Sequence, residues 1–342
     1  MFINTQPLFI TQPISLVKSE GTLAIQTEQE QKRFPIEQIE SIYVLASITC
    51  TTKLLELASR YGIPIHFFHY YGFYIGSFFP DQTPPEQSEI VVEQVLSYCN
   101  AQKRLFLAKE FVLGAQTNML RNITQLTNKI TNKLDLSQIQ EKKKELNLLR
   151  SKLSTICNLS QLLGCEGRFR LTYYQILDEF MKRDFPEFLI QKRTRRPPKN
   201  PMNSLLSYLN SLLYVTIIEQ LRQTPLHPTI SYLHSTKVKR LSLALDISEI
   251  FKPVIVDRLI LRMITLRMLD HTCFEERDKG CFLTTIGKQK VIKEYQRKLN
   301  STFFHRQKNK IFSYLQLIRH ECTKLVQHFS QQKSYQSFRI WW

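Results

Sequence analysis

At 342 residues the chain exceeds the usual size of a single core, and its 43% hydrophobic content supplies material for two. The 47 Lys and Arg against 29 Asp and Glu leave a net charge of +18, which points to an anionic partner, nucleic acid first and a membrane surface second. Seven cysteines without a CxxC pair argue against a disulfide frame or a zinc knuckle and for reduced, mostly buried thiols.

Met1 to Lys18 lacks the basic start and continuous apolar core of a secretory signal, so the expected location is the cytoplasm. The first eighty residues carry strand-sized apolar or alternating runs at Leu8 to Ile10, Ser15 to Val17, Thr22 to Ile25 and Ser41 to Leu45. Thr51 or Thr52 offers an N-cap for a helix over 53–61, with Gly62 as its stop. The aromatic run from Ile63 to Phe79 is interrupted by His66, His69 and two glycines, so it reads as a hairpin centred on Gly72 and not as a membrane span. His66 and His69 read as strand decoration. Pro80 to Ser88 holds three prolines and no hydrophobe, which marks a connector. Beyond it, apolar residues recur at helical spacing from Ile90 to about Asn132 and from Leu136 to Ser160, and the remainder is mostly helical. The expected fold class is α+β: a small N-terminal β-sandwich-like domain over 1–79, a linker over 80–89 and a larger all-α domain over 90–342.

Positions 162, 166, 169, 173, 176 and 180 form one helical face that reads Leu, Glu, Phe, Tyr, Ile, Phe. Glu166 therefore stands where the periodicity asks for a hydrophobe. A buried carboxylate needs a partner, either Arg170 one turn on, a hydrogen-bond network or a metal. Further along, Lys192 to Lys199 is a basic loop whose Pro197 and Pro198 keep it irregular; Arg193, Arg195, Arg196 and Lys199 are candidate phosphate contacts. His234 lies in a semi-apolar segment, where a structural histidine and a ligand look alike. Asp246 and Glu249 are three apart: either two carboxylates on one helical face or a capping box before an apolar run. Asp257 and Arg258 read as a surface pair. Taken together, Glu166, His234 and the Asp246/Glu249 pair offer oxygen and imidazole ligands suited to Mn2+ or Mg2+. Such ions serve chemistry at a phosphodiester.

At four segments the chain resembles the CRISPR adaptation integrases, the metal-dependent family also called CRISPR-associated endonucleases. These are Leu163-Gly164-Cys165-Glu166-Gly167, Arg195 to Tyr208, His227-Pro228 through His234, and Leu243 to Arg258, and they occur in family order. The resemblance implies a β-rich domain that dimerises and a helical catalytic domain. It places the metal ligands at Glu166, His234 and Glu249, with Asp246 as an adjacent acidic residue, and makes Asn203 and the Pro197-Pro198 turn structural. It also implies a transesterification, in which a DNA 3′-hydroxyl attacks a phosphodiester at a repeat edge and nuclease activity on branched DNA is the reverse view of one site. The partners it implies are double-stranded and branched DNA, a second copy of the chain and a small ferredoxin-like protein. Relatives carry small residues after the Glu-Gly pair, whereas Arg168, Phe169 and Arg170 follow here. Two rival classes are a non-catalytic nucleic-acid binder and a peripheral membrane protein.

Overall fold

The computed structural model describes residues 5–19, 21–26, 31–81, 88–128, 133–236, 241–305 and 309–341. Its N-terminal part consists of β1 (Gln6–Ile10), β2 (Ile14–Ser19), β3 (Thr22–Gln26), β4 (Gln31–Phe34), β5 (Ile39–Val44), β6 (Ile48–Cys50), α1 (Thr52–Arg60), β7 (Ile65–Phe68) and β8 (Tyr74–Phe78). The strands form two four-stranded sheets, ordered β1-β5-β7-β8 and β4-β3-β2-β6. In the first, β5 runs parallel to β1 and β7, and β8 closes the antiparallel hairpin.

Side-chain alternation along β5 explains how this layer sits. Ile42 and Val44 point into a first core with Leu16, Leu23, Leu54, Leu57 and Ile65. Tyr43 and Leu45, on the opposite face, belong to the core of the helices. The β1-β5-β7-β8 sheet is therefore covered on both sides. His66 shares this docking: it is fully buried, and its Nε2 lies 2.9 Å from Glu219 Oε1, while Tyr43 donates to Glu219 Oε2 at 2.8 Å. It joins the sheet to a helix, which alternation alone does not reveal. Gly72 turns the β7–β8 hairpin at φ +83, and a Cβ there would collide with the Tyr208 ring. Only glycine gives both the conformation and the approach.

The helical part contains α2 (Ser88–Cys99), α3 (Ala101–Thr127), α4 (Lys133–Ser151), α5 (Leu159–Met181), α6 (Pro201–Arg222), α7 (Ser242–Phe251), α8 (Arg258–Thr265), β9 (Phe274–Arg277), β10 (Gly280–Leu283), α9 (Thr285–Asn300), β11 (Thr302–His305), β12 (Lys310–Ser313) and α10 (Tyr314–Gln331). Residues 82–87, most of the expected connector, lie outside the described residues. The apolar stretch from Ile90 divides at Asn100, whose side chain accepts from the N–H groups of Gln102 and Lys103 and starts α3 afresh. The C-terminal part is predominantly helical, with β9–β10 and β11–β12 as two antiparallel hairpins that the helical reading passes over. Four-residue strands inside a helical sequence are too short to show a period of two. Helix α6 is apolar on nearly every side and is the buried axis of the domain. The thiols are all free, with Cys273, Cys281 and Cys322 buried and Cys50, Cys99 and Cys157 exposed, so the expectation of mostly buried cysteines holds for only part of the set. Among the described residues no helix is long and apolar enough to cross a membrane.

Residues 332–341 strap the domain. Tyr335 and the Phe338 N–H donate to buried Glu321 at 2.5 and 3.1 Å. Asn118 on α3 donates to Ile250 O on α7 (3.0 Å) and to Phe338 O (3.3 Å), and its Oδ1 accepts from Ile340 N (2.8 Å). Trp341 packs edge-on against Phe303 and Phe338. One amide therefore ties the C-terminal segment to the end of α7. Replacing a buried amide strands its backbone partners, so Asn118→Ala is expected to cost about 3 kcal/mol in chemical unfolding. An unchanged denaturation midpoint would show that the strap does not support the fold.

Candidate active site

Helix α5 begins at an Asn158 cap, whose side chain accepts from Gln161 N at 2.9 Å. Leu162, Phe169, Tyr173 and Ile176 of the expected face are fully buried. Glu166 is not: 22% of its side chain is exposed, and it opens onto a gap between α5 and α7. The pair with Arg170 is present, with Arg170 Nε donating to Glu166 Oε1 at 2.8 Å. The same guanidinium also donates to Glu249 Oε2 on α7. A local pair and a cross-helix bridge thus coexist.

Helix α7 starts at Ser242 without a side-chain cap, so Asp246 and Glu249 lie inside it and share a face. The capping-box alternative is ruled out by this start. Asp246 has no exposure, and its oxygens are fully used. Oδ2 accepts from the N–H groups of Tyr232 (2.6 Å) and Leu233 (3.1 Å). Oδ1 accepts from His234 N (3.0 Å) and from His234 Nδ1 (2.7 Å). With Nδ1 held as a donor, Nε2 faces Glu249 Oε1 at 3.9 Å. Burial pulls the His234 proton affinity down, but the Asp246 bond and charge and then Glu249 outweigh it and raise its pKa.

Glu249 is 7% exposed along its side chain and also accepts from Lys252 Nζ, at Oε1, over 2.5 Å. Burial pushes its carboxyl up, yet Arg170, Lys252 and His234 together hold it down at about 2. Lys252 opens a π-helical turn, Lys252–Asp257, between α7 and α8, where Pro253 supplies no N–H to a regular ladder. Asp257 at its end is buried, and its Oδ2 has no hydrogen-bond partner among the described residues. Burial, opposed first by Arg170, raises it to about 6. The surface pair expected for Asp257 and Arg258 does not form; Arg258 Nε instead donates to Asn122 Oδ1 at 2.7 Å.

Could these residues hold a divalent ion? His234 Nε2 and Glu249 Oε1 are closer than twice a ligand bond of about 2.1 Å, so one ion can touch both. Glu166 reaches the same gap through Arg170. The donor set, two carboxylates and one imidazole, suits Mn2+ or Mg2+. As they stand the carboxylates are turned to Arg170 and Lys252, and among the described residues no three His, Cys, Asp or Glu side chains already converge as an ion cage. The site is chemically apt and electrically balanced by two side-chain cations. Lys252 was detectable only as a lysine three residues after Glu249; Arg170 was visible as the local partner of Glu166 but not as a bridge.

The basic loop splits into two kinds of residue. Arg193 is turned inward, donating to Asn203 Oδ1 (2.9 Å) and Ser207 Oγ (3.1 Å), and so braces the loop. Asn203 in turn holds Thr194 N, Lys192 O and Ile190 O, so its contacts are those of a structural residue. Arg195, Arg196 and Lys199 are all exposed. Arg196 lies over the Phe73 ring at 5.2 Å and precedes a cis bond to Pro197, while Lys199 Nζ donates to Lys279 O at 2.6 Å.

The family model of the CRISPR associated protein Cas1 matches residues 8–297. A CRISPR-associated endonuclease Cas1 of Thermodesulfovibrio yellowstonii is 39% identical over 327 residues, 95% of this chain and 96% of its own. The structure of a CAS1 protein from Thermotoga maritima superimposes with a TM-score of 0.83 at 33% identity, over 97% of this chain and 100% of that one. A casposase bound to integration product shares the fold, with a TM-score of 0.81 at 18% identity over 99% of this chain and 96% of that one. Coverage of nearly the whole chain by both sequence and structure settles the relationship: the chain belongs to the Cas1 family.

Proposed function

We propose that the chain is a metal-dependent DNA endonuclease and integrase of CRISPR adaptation, inserting spacer DNA into a repeat array by attack of a 3′-hydroxyl on a phosphodiester. The observation that carries this reading is the linkage of Glu166, His234 and Glu249, from three separate segments, with Arg170 bridging the two glutamates and His234 Nε2 3.9 Å from Glu249 Oε1. The relatives' printed name, endonuclease, at 39% identity over nearly the whole chain supports it. Residues 1–79 serve as the dimerisation domain, 80–89 as the linker and 90–342 as the catalytic domain. Glu166, His234 Nε2 and Glu249 Oε1 would hold Mn2+ or Mg2+, which when bound would supply electrophilic assistance at phosphorus and ease ionisation of the attacking hydroxyl.

The chain's own groups do the rest. Asp246 keeps a proton on Nδ1 of His234 and so directs Nε2 into the gap. Lys252, only partly buried, is the ammonium nearest to meet the charge of an entering phosphate. Arg195, Arg196 and Lys199 bind phosphates further along the DNA and fix its register. The second reading, a non-catalytic nucleic-acid binder, draws on one observation: Arg170 and Lys252 already neutralise both carboxylates. A metal titration separates the two, because only the enzyme needs divalent ions for turnover.

The partners in this reading are double-stranded and branched DNA, a second copy of the chain and a small ferredoxin-like protein, in a prokaryotic cytoplasm. Ile75 on β8 and Val92, Val95 and Leu96 on α2 are exposed apolar side chains that a second copy would cover. Light scattering at micromolar concentration should give twice the chain mass; a fully active monomer would refute the homodimer.

Glu166→Gln, His234→Ala and Glu249→Gln should each lower strand transfer by about a thousandfold while DNA affinity persists. Asp246→Asn acts through His234 and should cost about 10- to 100-fold. Wild-type turnover in the Glu249→Gln protein would remove the site from the mechanism.

DNA affinity should fall steeply with salt. Replacing Arg195, Arg196 and Lys199 together by alanine should flatten the log–log slope by about 0.9 for each phosphate no longer neutralised. Arg193→Ala should instead reduce thermal stability. An unaltered slope in the triple variant would move the DNA path elsewhere.

A further inference from the structure

Arg170 occupies a position that neither helix pairing nor charge neutralisation fully explains. It lies one turn after Glu166 on α5, is 14% exposed, and uses two different nitrogens on two different helices. Nε binds Oε1 of Glu166, and a terminal nitrogen binds Oε2 of Glu249. Glu249 Oε1, the other oxygen, is the one that faces His234 Nε2 at 3.9 Å. Lys252 sits on that facing oxygen, so the two cations divide the carboxylate between them. The ammonium covers the side where an ion would bind. The guanidinium holds the side away from it.

Fork geometry matters here. A guanidinium presents N–H groups in fixed, divergent directions and can span two carboxylates, whereas an ammonium acts as a compact point charge. Without a rigid bridge, two ionised carboxylates on facing helices would repel and turn apart toward solvent. Metal ligands are held to orientation by partners of this kind, and losing such a partner weakens the metal while leaving the ligands in place.

We propose that Arg170 is a positioning residue, a clamp that fixes Glu166 and Glu249 from behind so that their remaining oxygens and His234 Nε2 converge on one divalent cation. The proposal rests on the metal-site reading above. Its test is Mn2+ titration calorimetry on the full chain without DNA, comparing the native protein with Glu166→Gln, Arg170→Gln and Arg170→Lys, each checked for folding by circular dichroism. The native protein should bind Mn2+ at a saturable site that Glu166→Gln abolishes. Arg170→Gln should weaken that binding about 10- to 100-fold, and Arg170→Lys should recover only part of the loss. Native-like affinity in folded Arg170→Gln would reduce Arg170 to a structural brace, and tighter binding would make it a competitor of the ion; either result overturns the clamp. Should Arg170→Gln fail to fold, Arg170→Lys decides, since native-like Mn2+ affinity with a single-point ammonium is incompatible with a two-carboxylate bridge. A native protein without a saturable site sensitive to Glu166→Gln would instead defeat the metal-site reading, and the clamp with it.

Discussion

Three backbone N–H groups and one imidazole N–H converge on Asp246, a carboxylate with no exposure. Its charge could not be buried without them, and the segment 232–234 could not hold its shape without the charge. Each satisfies the other. The orientation of His234 follows, since a histidine with Nδ1 committed has a single nitrogen to offer the gap. Asp246 itself has no oxygen left for a ligand. Its place in the site is to aim an imidazole, not to bind an ion.

Electrostatic balance sets the remaining geometry. Glu249 is nearly as buried as Asp246 but lacks backbone donors, and it is kept ionised by Arg170, Lys252 and His234. Glu166 and Glu249 with Arg170 and Lys252 put two carboxylates and two cations in a small volume, which is stable only while their number and sign match. In the proposed reaction a divalent cation would bring more charge than Lys252 gives up, and an entering phosphate would restore the balance, so metal and substrate charge would favour each other at this gap. The overall +18 of the chain serves a different end, attracting the polyanion over distances at which the site is invisible.

The order of β-rich and helical parts, the first helix with its Gly62 stop and the Gly72 hairpin were legible because they rest on local patterns: alternation, caps and positive-φ glycines. Glu166, His234, Asp246 and Glu249 were legible as polar residues in apolar surroundings and through the resemblance of their segments to a known family. What stayed hidden depends on contacts distant in sequence. Arg193 has the same composition around it as Arg195, and only the place of Asn203 on α6 turns one inward. His66 resembles any strand histidine until Glu219 meets it. Asp257 followed by Arg258 looks like an exposed pair because neighbouring charges usually are. The buried end of a π turn separates them, and no periodicity announces such a turn.

Helix α6 joins these parts into one frame. Glu219 near its end receives Tyr43 and His66 from the β1-β5-β7-β8 sheet, Tyr208 in its middle meets the Gly72 turn, and Asn203 in its first turn fixes the basic loop. α6 also packs against α7, which carries Asp246 and Glu249. A close-packed interior transmits displacement instead of absorbing it, so these attachments share one rigid reference. The N-terminal sheet, through which a second copy would dock, is thereby referred to the same axis as the exposed arginines and the carboxylate gap. Integration at two ends of one DNA fragment demands two such gaps at a constant separation. In the dimer proposed above, a rigid helix linking the N-terminal sheet to the site would meet that demand, whereas a flexible joint between two independently tumbling domains would not.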